Sequence, residues 1–217
     1  MKILSEKPLI RAYCGDCMDL MAGKGDGFWD LAICDPPYGI GGDKQIKFGK
    51  GQRKLHDSKE WDNEIPTEGY FIELFRISCN QIVWGGNYFI EYLHNTKSFI
   101  VWDKMNGTNP LSDAELAWTS FDKPIRMIRR HIFSGVGNTH YQTIHPTQKP
   151  VPLYLWLLTN YAQKGQTILD THGGSFSSAI ACWKMGFDLD ICEMDEEYFN
   201  AACERFERET RQGSMFS

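Results

Sequence analysis

Short β-rich runs take turns with helical patterns along most of this chain, and that alternation is its strongest constraint. The β-like runs are Leu9–Cys14, Trp29–Cys34, Gln81–Trp84, Phe99–Trp102, Glu115–Phe121, Arg126–Phe133, Thr167–Leu169 and Phe187–Cys192. Helical patterns occupy Thr67–Cys79, Tyr88–Leu93, Val151–Tyr161, Phe176–Met185 and Glu196–Thr210. Strand and helix in turn favour a mainly parallel sheet covered on both faces. Glu115–Phe121 and Arg126–Phe133, joined by a short Asp-Lys-Pro turn, read as an antiparallel hairpin within that sheet. At 217 residues the chain fits one domain with a full-sized core.

Two stretches interrupt the pattern. Residues 39–66 are polar, rich in Gly and Lys, and without period, and so long a structureless loop is usually functional or disordered. Within them Lys44, Lys47, Lys50, Arg53 and Lys54 follow one another with no acid between. Residues 123–131 add Lys123, Arg126, Arg129 and Arg130. The formal net charge is −5, so the whole molecule is no generic polyanion binder. Two readings of the basic stretches stand: one nucleic-acid-facing side of an acidic body, or a pair of solvated loops.

Seven cysteines, odd in number and set in apolar or mixed contexts, suit a reducing compartment. Cys14-Gly-Asp-Cys17 has CxxC spacing, but a second pair to complete a zinc site is missing and the segment does not open a helix as a redox motif does. Buried, inert thiols are the better reading. The N-terminus breaks its apolar character at Glu6, Lys7 and Pro8, unlike a signal peptide, and no apolar run reaches bilayer length. A cytoplasmic location is expected.

Two strand ends carry the chemistry. Ala32-Ile33-Cys34 runs straight into Asp35-Pro36-Pro37-Tyr38-Gly39, a stop of unusual rigidity because neither proline has an N–H for a neighbouring strand. Thr167–Asp170 runs into Gly173-Gly174-Ser175 and then a helix, and the next strand ends in Glu193. Glycines let backbone approach a ligand, and an acid at the neighbouring strand end can accept bonds from a ribose diol. This unit reads as a nucleoside-cofactor site and leaves open a dinucleotide or S-adenosylmethionine, although the full GxGxxG pattern is absent. If Asp35 ends a parallel strand, it faces the same crevice. Its carboxylate and the Pro36 carbonyl then suit the two N–H bonds of a planar substrate's amino group, with Tyr38 to stack on the ring.

With Asp35-Pro-Pro-Tyr38, then His145-Pro-Thr-Gln-Lys-Pro150, then the loop at Asp170, the sequence resembles the DNA amino-methyltransferases of the beta group, in their adenine-specific form. The resemblance spans roughly residues 9–208 and implies a Rossmann-like S-adenosylmethionine-dependent methyltransferase fold. That is an α/β architecture: a mixed, mostly parallel sheet with helices on both faces and a C-terminal antiparallel hairpin in sheet order. It implies methyl transfer from S-adenosylmethionine to the exocyclic amine of adenine in double-stranded DNA, after base flipping. Asp35, Pro36, Pro37 and Tyr38 would be catalytic. Asp16 and Cys17 would reach the cofactor's adenine, Asp170, Gly173, Gly174 and Glu193 its methionine and ribose parts, and Thr147 and Lys149 its carboxylate. Lys44, Lys47, Arg53, Lys54, Arg126, Arg129 and Arg130 would neutralise DNA phosphates, and no metal is required. The loop 39–66 is expected to be mobile and to close over the flipped base, and residues 104–142 to help read sequence. The resemblance to dimeric family members adds a second copy of the chain. The rivals are cytosine's exocyclic amine or adenine in RNA on the same fold, and a non-catalytic DNA- or cofactor-binding homologue. One departure motivates the last: the family commonly reads Asp-Pro-Phe-x-Gly-x-Gly in the cofactor loop, and here Phe176 stands at the second glycine.

Overall fold

Trp29–Cys34, the apolar run ahead of the two prolines, forms strand β3 in the middle of a single sheet. The computed structural model describes residues 1–40, 65–105, 112–130, 144–145 and 147–213. Among these the sheet has nine strands: β1 (Lys2–Glu6), β2 (Leu9–Cys14), β3, β4 (Ser78–Trp84), β5 (Phe99–Asp103), β6 (Ala114–Thr119), β7 (Arg126–Arg129), β8 (Thr167–Asp170) and β9 (Asp188–Glu193). Their order is β1-β2-β9-β8-β3-β4-β6-β5-β7. The block β2-β9-β8-β3-β4 is parallel throughout, so five strands deliver their carboxyl ends to one rim.

Among the described residues, five helices cover both faces: α1 (Cys17–Ala22), α2 (Glu68–Ile77), α3 (Val151–Tyr161), α4 (Ser177–Met185) and α5 (Glu196–Gly213). The strands' two-residue period sorts the core. In β3, Leu31 and Ile33 join the cluster under α3, α4 and α5, whereas Ala32 and Cys34 join the one under α1 and α2. Ile168 and Leu169 of β8 divide in the same way.

The α/β class and the two-faced cover agree with the sequence reading; one pairing does not. β6 and β7 are not a hairpin. β5 lies between them, antiparallel to β6 and parallel to β7. The antiparallel pairs are instead β1 with β2, β4 with β6 and β5 with β6. A short turn at Asp122–Pro124 did not suffice to decide the pairing, because β5 offers β6 five paired residues and a shared apolar layer of Ile100, Trp102 and Ala117. The helical pattern at Tyr88–Leu93 also yields only a 3-10 turn, Gly86–Tyr88, followed by isolated turns. Six residues cannot sustain a helix unaided, and the burial of Phe89 sets the path of the chain instead. The loop expected at 39–66 lies almost wholly outside the described residues; of the recognition region expected at 104–142, residues 104–105 and 112–130 are described and carry β6 and β7 of the central sheet.

One buried acid clamps the sheet across three strands. Asp190 of β9 is 1% exposed and accepts from Arg11 Nε of β2 at 2.5 Å, Arg11 Nη2 at 2.8 Å and Trp29 Nε1 of β3 at 2.9 Å. Arg11 is one-third exposed and can turn to water, but the Trp29 N–H has no such escape. Asp190→Ala is therefore expected to lower stability by about 2–4 kcal/mol, mostly from the stranded indole and the unpaired guanidinium; urea denaturation checks this.

Candidate active site at the carboxyl rim of the sheet

The two acids that the chain separates by more than half its length meet at this rim. Asp35 follows the last residue of β3, Asp170 ends β8 and Glu193 ends β9, on three adjacent strands. With parallel strands spaced about 4.8 Å apart, the ends of β3 and β9 lie about 10 Å from one another. β2 brings Asp16 to the same rim, where Gly15 N–H donates to the Glu193 carbonyl at 2.9 Å. Because β6 runs against β4, its first residues also reach this rim, and Glu115 comes with them.

Asp35 is held in a buried chain of charges. Its Oδ1 accepts from the Tyr38 hydroxyl at 2.7 Å, and its Oδ2 lies 2.5 Å from Lys149 Nζ. Lys149 Nζ is also 3.0 Å from Glu115 Oε2 and donates to the Tyr38 hydroxyl at 3.3 Å. Lys104 Nζ closes the chain at 2.6 Å from Glu115 Oε1. The Lys149 side chain is 3% exposed. Burial pushes the Asp35 carboxyl up, and Lys149 pulls against it. Glu115 is also buried, but Lys149 and Lys104 outweigh that and hold its carboxyl below the usual range. Burial alone would lower Lys149; Asp35 and Glu115 raise it instead.

The Tyr38 ring is fixed from several sides. Tyr88 stacks on it with centroids 5.0 Å apart and planes 13° apart, and Phe89 meets it edge-on at 6.1 Å. Gly85 lies under it: a Cβ there would fall 2.2 Å from Tyr38 Cε1, and φ is +70°. Gly86 is pressed as closely on Trp118, whose Cβ would be 2.6 Å away.

On the neighbouring strands, Glu193 Oε2 accepts from Gly174 N–H at 2.7 Å and Oε1 from Asp195 N–H at 2.9 Å. Burial pushes its carboxyl up against those bonds. Asp170 is turned inward, 1% exposed, and ties the loop together by accepting from Ser178 Oγ at 2.5 Å and His172 N–H at 3.1 Å. Burial takes it up to about 7 and takes the His172 imidazole down to about 4. Gly173 fits only as glycine, since a Cβ would lie 2.7 Å from both Ile191 and Phe176. Asp16 caps α1 through Met18 N–H at 2.8 Å. Against the sequence reading, Cys14-Gly-Asp-Cys17 does lead into a helix, since α1 starts at Cys17; Cys17 is buried and Cys14 exposed, and both are free thiols.

One segment ties both halves of the site. His145 lies with its ring 3.7 Å from the Cβ position of Gly174, Thr147 is exposed with its hydroxyl 3.1 Å from His145 Nδ1, and Lys149 reaches Asp35. The reading of Lys149 as a ligand for a cofactor carboxylate meets a different geometry, because its ammonium is spent on Asp35, Glu115 and Tyr38. The sequence reading singles out neither Glu115 nor Lys104; an acid set in the otherwise apolar run Ala114–Thr119 is the available signal. Of the basic residues, Arg129 and Arg130 lie at the rim end of β7 and are exposed, with Arg129 Nε 3.2 Å from Asp103 Oδ2. Arg126 is at the strand's opposite end, so the three do not form one patch. Lys44, Lys47, Arg53 and Lys54 lie outside the described residues. No helix among the described residues is long and apolar enough to cross a membrane.

This sheet order and this rim define a class. The fold is that of the S-adenosylmethionine-dependent DNA methyltransferases. The solved M1.HpyAVI complex with S-adenosylmethionine superposes with a TM-score of 0.58, at 19% identity over 90% of this chain and 99% of that one. The cytosine-N4-specific PvuII DNA methyltransferase does so with 0.61, at 14% identity over 93% of this chain and 90% of that one. The DNA methylase family matches residues 80–204, and the chain belongs to it: it is a DNA methyltransferase of the N6-adenine/N4-cytosine class. Among curated proteins, the type II methyltransferase M.HpaI of Haemophilus parainfluenzae is 25% identical, over 92% of this chain and 74% of its own length.

Phe176, the departure from the family's cofactor loop, resolves against expectation. Its backbone keeps the glycine-like conformation, φ +58° and ψ +30°, at the start of α4. Its side chain does not stand in the cleft: it is wholly buried and meets Phe199 of α5 edge-on at 5.8 Å. The left-handed backbone costs about 1–2 kcal/mol, whereas deleting a buried phenyl costs about 3–5 kcal/mol. Phe176→Gly, a reversion to the family residue, is therefore expected to destabilise the protein by about 2 kcal/mol, read as a lower midpoint in chemical denaturation.

Proposed function

We propose that this chain methylates the exocyclic amine of adenine in double-stranded DNA, with S-adenosylmethionine as methyl donor. The observation that carries the reading is the shared rim: a rigidly mounted Asp35 beside the acids of β8 and β9, with His145–Lys149 touching both. The groups present fit the donor. Glu193 is partly exposed with lone pairs to spare for a ribose diol, the Gly173–Gly174 turn brings backbone N–H groups beside it, and Asp16 stands at the adjoining strand end. When bound, S-adenosylmethionine supplies an electrophilic methyl group.

The chain's own part is to make a poor nucleophile competent. An exocyclic amine has its lone pair delocalised into the ring, and in a duplex it is paired and out of reach. The base is taken out of the stack at a cost of about a few kcal/mol, part of which stacking on Tyr38 returns, on the order of 1–3 kcal/mol. The Asp35 carboxylate and the Pro36 carbonyl accept the two N–H bonds and leave the lone pair aimed at the methyl. As positive charge grows on nitrogen, the same acceptors stabilise it. Prolines at 36 and 37 keep these acceptors from moving with the base. Arg129 and Arg130, with the basic residues of 44–54, serve the phosphates, and a second copy of the chain completes the duplex contact.

An aspartate at the head of the motif supports adenine. The cytosine-N4 specificity of the PvuII relative supports the second reading. Incubation with duplex DNA and labelled S-adenosylmethionine, then nucleoside mass analysis, separates them: N6-methyladenine is expected, N4-methylcytosine establishes the alternative, and no labelled nucleoside overturns both. Asp35→Asn is expected to lower single-turnover methyl transfer on the order of 10²–10³-fold, with cofactor binding by calorimetry retained.

A further inference from the structure

We propose that Lys149 is a positioning residue for methyl transfer: its buried ammonium, shared between Asp35 and Glu115, keeps Asp35 ionised and aimed as an acceptor. The inference rests on the reading of Asp35 given above and deepens it.

The geometry leaves Lys149 no other office. An ammonium has three N–H bonds, and three oxygens already surround this one: Asp35 Oδ2 at 2.5 Å, Glu115 Oε2 at 3.0 Å and the Tyr38 hydroxyl at 3.3 Å. Its stem side is closed by aromatic faces, with Nζ 5.3 Å from the Trp84 ring centroid and 5.7 Å from that of Tyr38. Among the described residues, the oxygens nearest the ammonium thus belong to Asp35, Glu115 and Tyr38.

Asp35 needs such a partner because its surroundings are otherwise hostile to charge. From its own loop, Tyr38 donates one hydrogen bond. From β6, Glu115 faces it as a second acid; from β8, Asp170 adds a third; from α3, the Tyr154 phenol is near and neutral. Among the described residues, the cations in the network are Lys149 and, beyond Glu115, Lys104. The chain Asp35–Lys149–Glu115–Lys104 thus alternates in sign and balances, two acids against two ammonium groups. Without Lys149, two buried acids share one cation, and that cation touches Glu115. The proton needed to restore balance then goes to Asp35. A protonated Asp35 is a weaker acceptor for its amine N–H and carries no charge to stabilise the cation that forms on nitrogen. Alternation also gives Glu115 a place: it draws on the same ammonium from the far side, with Lys149 Nζ 2.5 Å from Asp35 Oδ2 and 3.0 Å from Glu115 Oε2.

The test reads ionisation directly, apart from turnover. In protein labelled with carbon-13 at the aspartate carboxyl, the Asp35 signal is identified by its loss in Asp35→Asn and followed from acid to alkaline pH. Lys149→Met should move its titration midpoint alkaline by at least about one pH unit. Lys149→Arg should restore most of the shift, and Glu115→Gln, which leaves the ammonium to Asp35 alone, should move the midpoint the other way. Single-turnover methyl transfer should follow the same order, the acid limb of the Lys149→Met profile shifting with the midpoint while S-adenosylmethionine affinity stays at the wild-type value. An unmoved midpoint in Lys149→Met, or loss of cofactor affinity with the pH profile intact, overturns the inference. If Lys149→Met does not fold, the acid shift in Glu115→Gln beside a near-wild-type midpoint in Lys149→Arg decides it, and an unmoved midpoint in Glu115→Gln overturns it. A wild-type chain that transfers no methyl to DNA but shows the carboxyl shifts refutes the proposed function and leaves the charge assignment standing.

Discussion

Parallel pairing through β2-β9-β8-β3-β4 is the constraint from which the rest follows. Parallel ladders bring every carboxyl end to one side, and the chain places its chemically useful residues at those ends: Asp16 after β2, Glu193 on β9, Asp170 on β8, Asp35 after β3. None of these acids is near another in sequence except through a strand or a helix that returns it to the same rim. The Asp190 clamp to Arg11 and Trp29 fixes three of the strands from beneath. A slip of one residue in any of them would exchange the side chains of the two apolar layers and carry a functional acid off its place at the rim.

The reversed strand β6 adds what a purely parallel sheet would lack. Running against β4, it presents its beginning, not its end, at the functional rim. Glu115 therefore arrives from an apolar strand that offers no loop to carry it. Lys149 comes from the opposite direction, through the segment that also sets His145 against the glycine turn. The two meet at Asp35, and the electrostatics of the site are settled by elements that belong to neither half alone.

Much of this was legible in the sequence for simple reasons. Apolar runs that stop at an acid, a proline pair or a glycine pair mark strand ends, and β2 and β3 were bounded to the residue on that ground. Sheet order beyond β4 was not legible, since β5, β6 and β7 are similar short runs and their pairing is decided by which apolar layers meet. The same limit hid Glu115 and Lys104. Spacing along the chain says nothing of a contact between residues 35, 115 and 149, and a lone lysine after a proline-rich turn reads equally as a ligand for a small anion. Phe176 shows the converse: the sequence exposed a breach of the family's pattern, while only packing could show that the ring goes into the core and the backbone takes the left-handed conformation that glycine favours.

Gly85 and Gly86 carry a consequence for how freely such a chain can diverge. The first is overlain by the Tyr38 ring and the second by Trp118, each too close for a methyl group. Any other amino acid at Gly85 would displace the Tyr38 ring beside the cleft, and at Gly86 it would press on the Cβ and backbone of buried Trp118. Sequence drift at this corner is thus shut to a single atom type, hydrogen, and lineages that lose it must rebuild the aromatic wall at the same time.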